Sequence, residues 1–182
     1  MGYFYGVKIE GDAGRHVARL AVKLRSEINH SGISVNLVEN DNYFLKILPA
    51  PSSYSTINQH IDNWRINRLE LPELSFKLDK ISLKDNFIGL EIGEGEDQVR
   101  HMHVMLSQHS KGVRQFRFQP RLLLASLEST ASVQEKRNIN EMIRFINYES
   151  LGDPIDNVCK EIYLVRSNST LGNYDVLRKF EI

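Results

Sequence analysis

The pattern of apolar residues predicts alternating strands and helices, beginning with a strand and a long helix. Aromatic and β-branched residues predict a strand from Tyr3 to Ile9, which Gly11 ends. Asp12 is the predicted N-cap of the helix, and Gly32 is placed to end it. The apolar positions of the helix recur every three or four residues: Val17, Leu20, Ala21, Leu24 and Ile28. The helix is therefore amphipathic, with one face available for a core.

Two strands and a second helix complete the predicted first half of the chain. The strands run from Ile33 to Val38 and from Tyr43 to Leu48, with a turn-rich segment between them. Two prolines, Pro49 and Pro51, are expected to stop the second strand. The helix that follows has three apolar positions: Ile57, Ile61 and Trp64.

The second half of the chain repeats this plan. Leu74 to Leu83 and Phe87 to Ile92 are predicted to form a hairpin, and a strand from Arg114 to Leu127 comes later. The helix between them has one apolar side: Val99, Met102, His103 and Leu106. This repetition predicts two related α+β lobes.

A helix and two strands are predicted at the end of the chain. The helix spans about Val133 to Asn147, and the strands run from Cys159 to Arg166 and from Tyr174 to Ile182. No segment has the composition of a linker or of a low-complexity region. Two closely packed α+β lobes therefore fit the pattern better than two independent domains.

Two of the predicted strands resemble the catalytic strands of a known phosphoesterase family. The segment Phe118–Ala125 reads FQPRLLLA and is similar to the Phe-x-Pro-His-x-Thr-Leu-Ala strand of the two-histidine (2H, or 2′–5′ RNA ligase-like) phosphoesterases. The segment 42–48 reads NYFLKIL and stands where that family has its first His-x-Thr-Leu. The opening strand and helix and the last two strands also resemble the family. The likeness therefore covers most of the chain.

The resemblance implies a specific fold. Members of the 2H family have an α+β fold of two pseudo-symmetric lobes of antiparallel sheet with flanking helices around a central cleft. Residues 1–182 would then form a single bilobal domain. Because side chains alternate along a strand, the first and third residues of each motif are expected on the cleft face, and the second and fourth in the core. The expected cleft residues are Phe44, Lys46, Arg121 and Leu123, and the expected core residues are Leu45, Ile47, Leu122 and Leu124.

The same resemblance argues against the activity of the family. Phe44 and Arg121 stand where the two catalytic histidines belong, and Lys46 and Leu123 where the hydroxyl residues belong. Histidine exchanges protons near neutral pH, whereas phenylalanine cannot and arginine stays protonated. No residue is therefore predicted to be catalytic, and the chain is predicted to be a pseudoenzyme.

Binding of a phosphorylated ligand without cleavage is the function that the resemblance then implies. Lys46 and Arg121 are the predicted phosphate-binding residues, with Arg166 as a secondary candidate, and the ligand is an RNA end or a cyclic or oligomeric nucleotide. One alternative is that these cations are merely solvated or ion-paired and that the chain is a protein–protein interaction domain. Another is an active 2′,3′-cyclic or 2′–5′ phosphodiesterase that uses misplaced residues, and the candidates are His60, His101 and His103.

Two further groups of residues have competing interpretations. His101 and His103 are two residues apart on a predicted helix and do not converge, so with His109 they are not expected to form a metal site. Basic residues alternate with aromatic ones from Lys111 to Arg121, which fits either a surface for single-stranded nucleic acid or a strand with one buried face.

Composition restricts the partners and the compartment. The 23 basic and 23 acidic residues balance, so no net field attracts nucleic acid, and no DNA specificity is indicated. The lone cysteine, Cys159, excludes an internal disulfide and a cysteine-based zinc cluster. No apolar run is long enough to span a bilayer, and the N-terminus lacks a signal-peptide pattern. A cytoplasmic protein without metal or organic cofactor is expected.

Overall fold

A computed structural model describes residues 2–38, 42–50, 58–59, 71–108, 118–128, 130–168 and 171–182. The first part of the chain contains β1 (Gly2–Lys8), α1 (Gly11–His30), β2 (Val35–Leu37) and β3 (Phe44–Ala50). The middle part contains β4 (Leu74–Lys84), β5 (Phe87–Ile92), α2 (Glu96–Gln108) and β6 (Arg121–Leu127). The last part contains α3 (Val133–Ile146), a short π-helical turn (Asn147–Leu151), β7 (Ile155–Cys159), β8 (Glu161–Ser167) and β9 (Tyr174–Glu181). The predicted α+β class is confirmed.

The strands form two antiparallel sheets with matching arrangements. The first sheet has the order β3-β1-β8-β9, and the second has the order β2-β6-β5-β4-β7. In each sheet, the strand before a helix is hydrogen-bonded to a strand that follows the helix: β1 pairs with β3, with α1 and β2 between them in the chain, and β5 pairs with β6, with α2 between them. The two sheets are therefore related lobes, and the predicted repetition of the plan is confirmed.

One continuous hydrophobic core joins the two sheets and the helices. It includes Leu24 of α1, Met102 of α2 and Ile139 of α3, all fully buried, together with side chains from both sheets. The expected core positions of both motifs belong to it: Leu45, Ile47, Leu122 and Leu124. Strand alternation therefore predicted the buried half of each motif correctly.

Several predicted boundaries were wrong, each for a local reason. Glu10, not Asp12, is the N-cap of α1, because Glu10 is the last residue with extended backbone (φ −126°, ψ −179°). Pro49 does not stop β3, which continues to Ala50. It is tolerated because β3 is an edge strand that pairs only with β1 among the described strands. Of the strand predicted from Arg114, the described part begins as β6 at Arg121, after residues 118–120, which are not in a strand. Residues 109–117 and most of the helix predicted around Trp64 lie outside the described residues.

The strand predicted from Cys159 to Arg166 is two strands that belong to different sheets. Ile155–Cys159 pairs with β4 of the second sheet, and Glu161–Ser167 pairs with β1 of the first sheet. The chain crosses between the sheets at Lys160, a single residue. Two charged residues in succession, Lys160 and Glu161, interrupt the apolar alternation at this crossing and mark the break.

The two strands that contain the motif residues, β3 and β6 (the motif strands), each have a β-bulge opposite a glycine of the neighbouring strand. In the first sheet Tyr5 pairs with Leu48 and Gly6 with Lys46, which leaves Ile47 unpaired. In the second sheet Ile88 pairs with Ala125 and Gly89 with Leu123, which leaves Leu124 unpaired. A Cβ atom on Gly6 would lie 2.7 Å from the Leu45 carbonyl oxygen, and one on Gly89 would lie 2.6 Å from the Leu122 carbonyl oxygen. The fourth motif residue is thus the bulge residue in both lobes.

The described helices include none that is both long and apolar enough to cross a membrane.

Candidate ligand-binding site between the two sheets

A cavity of about 650 Å³ lies where the two motif strands meet. The first sheet contributes Tyr3, Phe4, Lys46 and Ser167 to its lining, and the second contributes Lys84, Phe87, Arg121 and Leu123. Phe118 and Gln119, which precede β6, also line it. The structure therefore brings together three of the predicted site residues: Lys46, Arg121 and Leu123.

Lys46 extends over an aromatic wall of this cavity. Its Nζ atom lies 4.8 Å from the ring centroid of Phe4 and 5.3 Å from that of Tyr174, which are cation–π distances. Within the described part of the chain, no carboxylate lies within ion-pair distance of Lys46. Burial lowers the pKa of Lys46 below the ordinary value of a lysine. An unneutralised ammonium group in a partly desolvated wall is suited to bind an anion.

Phe44 supports this wall from behind and does not line the cavity. It is only 4 % exposed and makes edge-to-face contacts with Phe4, Tyr163 and Tyr174, at centroid distances of 6.2, 5.7 and 5.9 Å. The prediction that Phe44 lines the cleft was therefore wrong, although Phe44 and Lys46 share a strand face as expected. Rings from β1, β8 and β9 cover it, because edge-to-face aromatic packing is favourable.

Arg121 approaches the same cavity from the second sheet. Its Nη2 atom donates to the Ser82 carbonyl oxygen at 2.5 Å and to Ser82 Oγ at 3.0 Å. Its Nε atom is buried and has no hydrogen-bond partner among the described residues. Burial lowers the pKa of Arg121, against the nearby charges of Glu91 and Asp85, but a guanidinium remains protonated at neutral pH. Arg121 is therefore a permanent positive charge that its hydrogen bonds to Ser82 fix in position.

A polar network on β4 and β5 supports Arg121. Ser82 Oγ donates to Glu91 Oε1 at 2.6 Å, and Lys84 Nζ lies 2.9 Å from the same oxygen. Burial raises the pKa of Glu91, but the hydrogen bonds from Ser82 and Lys84 outweigh this and lower it overall. Glu91 is therefore ionised and offsets the charge of Lys84, whereas Lys46 has no carboxylate within ion-pair distance among the described residues.

Arg166 lies outside the cavity lining and already has a partner. Its Nη2 and Nε atoms donate to Asp175 Oδ2 at 2.7 and 3.2 Å, and Asn168 donates to the same oxygen. Hydrogen bonding to Asp175 raises the pKa of Arg166. The neighbouring Ser167, not Arg166, reaches the cavity. We therefore do not include Arg166 in the proposed site.

The histidines that the sequence offered as catalytic candidates do not form a pair across the cavity. His103 is buried, its Nδ1 donates to the Ile47 carbonyl oxygen at 2.6 Å, and its ring stacks on Phe118 at 3.9 Å and 6°. His101 is exposed on α2, while His60 and His109 lie outside the described residues. The described residues that line this cavity include no histidine. No group of three or more His, Cys, Asp or Glu side chains among the described residues is placed to hold a metal ion.

A larger cavity of about 970 Å³ lies at the N-terminal end of α1, away from the motif strands. Its lining includes three carboxylates, Glu10, Asp12 and Asp156, as well as basic side chains, and contains no motif residue. Size alone therefore does not identify the candidate site. The smaller cavity between the sheets combines the motif strands, the cations and the aromatic walls.

Sequence reasoning missed Phe87 and the network of Ser82, Lys84 and Glu91. The polar residues occupy strand positions that would ordinarily face solvent, and Phe87 opens a strand after a turn. Only the pairing of β4, β5 and β6 brings them beside Arg121. A hairpin prediction extended to its third strand could have found them.

Solved structures of other proteins share this fold along the whole chain. The Thermus thermophilus protein TT0787 is 14 % identical, with a TM-score of 0.67, over 100 % of this chain and 97 % of that one. Kluyveromyces marxianus Usb1 is 9 % identical, with a TM-score of 0.66, over 99 % and 97 %. E. coli LigT in complex with 3′-AMP is 14 % identical, with a TM-score of 0.61, over 100 % and 97 %. No protein-family profile and no curated protein sequence matches the chain. With both lobes matched along their whole length, the chain has a 2H phosphoesterase-like fold.

Proposed function

We propose that the protein binds a phosphorylated ligand in the cavity between the sheets and does not cleave it. The observation that carries this proposal is Lys46, a partly buried ammonium group without an acidic partner in the described residues, in the same lining as Arg121. Phosphate oxygens would accept charge-assisted hydrogen bonds from both side chains. The ligand class is an RNA end or a cyclic or oligomeric nucleotide.

The structural neighbours support a nucleotide as ligand. Solved structures of E. coli LigT contain 3′-AMP, ATP, NADP+ or phosphate. This chain is similar to these proteins in fold. The similarity supports a nucleotide ligand only in combination with the cations Lys46 and Arg121 of this chain.

The proposed absence of cleavage rests on the side chains at the two histidine positions of the motifs and on the described lining of the cavity. Phosphodiester cleavage requires a group that accepts a proton and another that donates one near neutral pH. Phe44 does neither, and Arg121 remains protonated. Since the described lining contains no histidine, the site is proposed to hold its ligand without turnover.

A paired assay of binding and cleavage tests the proposed function. Purified protein is offered 2′,3′-cyclic AMP, 3′-AMP, 2′–5′ oligoadenylate and short RNAs at low and physiological salt. We expect binding that weakens with salt, because charged groups dominate it, and no product above the rate without protein. Turnover of any of these compounds would contradict the proposal that the protein binds its ligand without cleaving it. If nothing binds and a protein partner co-purifies instead, the protein–protein interaction domain becomes the better explanation.

The affinity for a nucleotide phosphate is expected to fall at alkaline pH, at a lower pH than for an ordinary lysine site. The pKa of Lys46 is lowered, and only the ammonium form attracts phosphate, so binding persists below this pKa and is lost as the pH rises through it. A phosphate monoester is almost fully ionised above about pH 7, so the ligand contributes little change there.

Titration of 3′-AMP binding by calorimetry between about pH 7 and the ordinary lysine pKa of about 10.4 measures this loss. Lys46→Arg is the matched control, because a guanidinium stays charged over the whole range and should retain affinity at the alkaline end. Equal curves for the natural protein and the Lys46→Arg variant would contradict the assignment of Lys46 as the titrating cation.

A further inference from the structure

Phe87 exposes an aromatic ring inside the candidate cavity. It is the first residue of β5, lines the cavity, and is 43 % exposed. No described residue makes a ring–ring or cation–π contact with it. Exposing a large apolar side chain to water is unfavourable, and an aromatic ring at a cavity wall is a surface that a ligand can cover.

The other aromatic rings of the lining are already engaged. Phe4 packs edge-to-face against Phe44 and Tyr174 and lies under Lys46. Phe118 stacks on His103, and Tyr3 is partly buried against the core. Among the described lining residues, Phe87 is therefore the ring best placed to receive a planar group from a ligand.

We propose that the ligand carries a nucleobase, which stacks on Phe87 while the phosphate is bound by Lys46 and Arg121. This inference rests on the proposed function, since the phosphate site places the rest of the ligand. All three residues line one cavity of about 650 Å³, which is within the usual range for small-molecule sites. Stacking reads the ring of the base and not its hydrogen-bonding edge, so the site distinguishes nucleotides from sugar phosphates but tolerates any base.

Four compounds separate the contribution of the base from that of the phosphate. Inorganic phosphate, ribose 5-phosphate, 5′-AMP and adenosine are titrated against the natural protein and against Phe87→Ala. A stacked base contributes about 10-fold in affinity, so 5′-AMP is expected to bind about 10-fold more tightly than ribose 5-phosphate. In Phe87→Ala this preference should disappear through weaker binding of 5′-AMP, with ribose 5-phosphate unchanged.

Two further variants control for loss of structure and of apolar surface. Phe145→Ala removes a ring of similar exposure (53 %) from α3, outside the cavity, and should leave the preference intact. Phe87→Leu keeps an apolar side chain in the strand but removes the flat ring face. It should behave like Phe87→Ala, whereas a purely structural role of Phe87 would be rescued by leucine.

The outcomes distinguish failure of this inference from failure of the proposed function. If ribose 5-phosphate and 5′-AMP bind equally well and Phe87→Ala changes neither, base stacking on Phe87 is overturned while phosphate binding stands. If neither phosphate compound binds, or adenosine binds as tightly as 5′-AMP, the phosphate site itself fails and this inference fails with it.

Discussion

Replacing Lys46 with glutamate is expected to lower the affinity for 3′-AMP by about 100-fold or more. The substitution removes the ammonium group that has no acidic partner in the described residues and places a carboxylate against the bound phosphate. Removing one partner of a desolvated, hydrogen-bonded charge pair typically costs about 2–5 kcal/mol of binding free energy. Isothermal titration calorimetry at low salt measures the loss.

Arg137→Glu provides a matched control for this charge reversal. Arg137 lies on α3, outside the cavity lining, and its substitution changes the net charge of the protein by the same amount. Lys46→Met removes the charge without burying a carboxylate and should also lose most of the affinity. Unchanged binding in both Lys46 variants, with unaltered thermal unfolding, would show that the ligand is held elsewhere.

Replacing Gly89 with alanine is expected to destabilise the protein by roughly 2–3 kcal/mol, as overpacking of a filled interior does. The new Cβ atom would lie 2.6 Å from the Leu122 carbonyl oxygen and 3.2 Å from Arg121 Nε. The carbonyl belongs to a paired strand and cannot rotate away, so β5 and β6 must move apart at the bulge. Urea unfolding at equilibrium measures the change in free energy of unfolding.

Two other glycines sharpen this stability test. Gly6→Ala meets the Leu45 carbonyl oxygen at 2.7 Å and should be destabilising to a similar extent, since it occupies the equivalent position in the first sheet. Gly2→Ala has no described atom within 4 Å of the new Cβ and should change stability by less than about 0.5 kcal/mol. If Gly89→Ala unfolds at the same urea concentration as Gly2→Ala, the described register of β5 and β6 is incorrect.

The sequence predicted the fold well where local patterns reflect burial. The alternation of Leu45 and Ile47, and of Leu122 and Leu124, places them in the core, where the structure has them. Helical periodicity likewise located α3, whose start is fixed by a capping box between Ser132 and Glu135. These features depend on neighbours in sequence, so one chain is enough to reveal them.

The candidate site was only partly predictable because its contacts join distant strands. Lys46 and Arg121 were identified from the motif resemblance, but the burial of Phe44 depends on rings that arrive from β1, β8 and β9. The pairing of Arg166 with Asp175 depends on the register of β8 and β9. The exposure of Phe87 depends on the cavity that forms only where the two sheets meet. None of these relations leaves a local pattern in the sequence.

The glycine opposite each bulge offers a way to recognise other chains with this fold. In both lobes a glycine pairs with the third residue of the motif strand, and the fourth residue is left unpaired. This constraint concerns the close approach of two backbones and is independent of which side chain occupies the histidine position. The folding requirement for both glycines therefore does not depend on any catalytic residue. A search that requires a motif strand, a glycine on the paired strand and the one-residue bulge, without requiring a histidine, should recover chains with this fold whatever their chemistry.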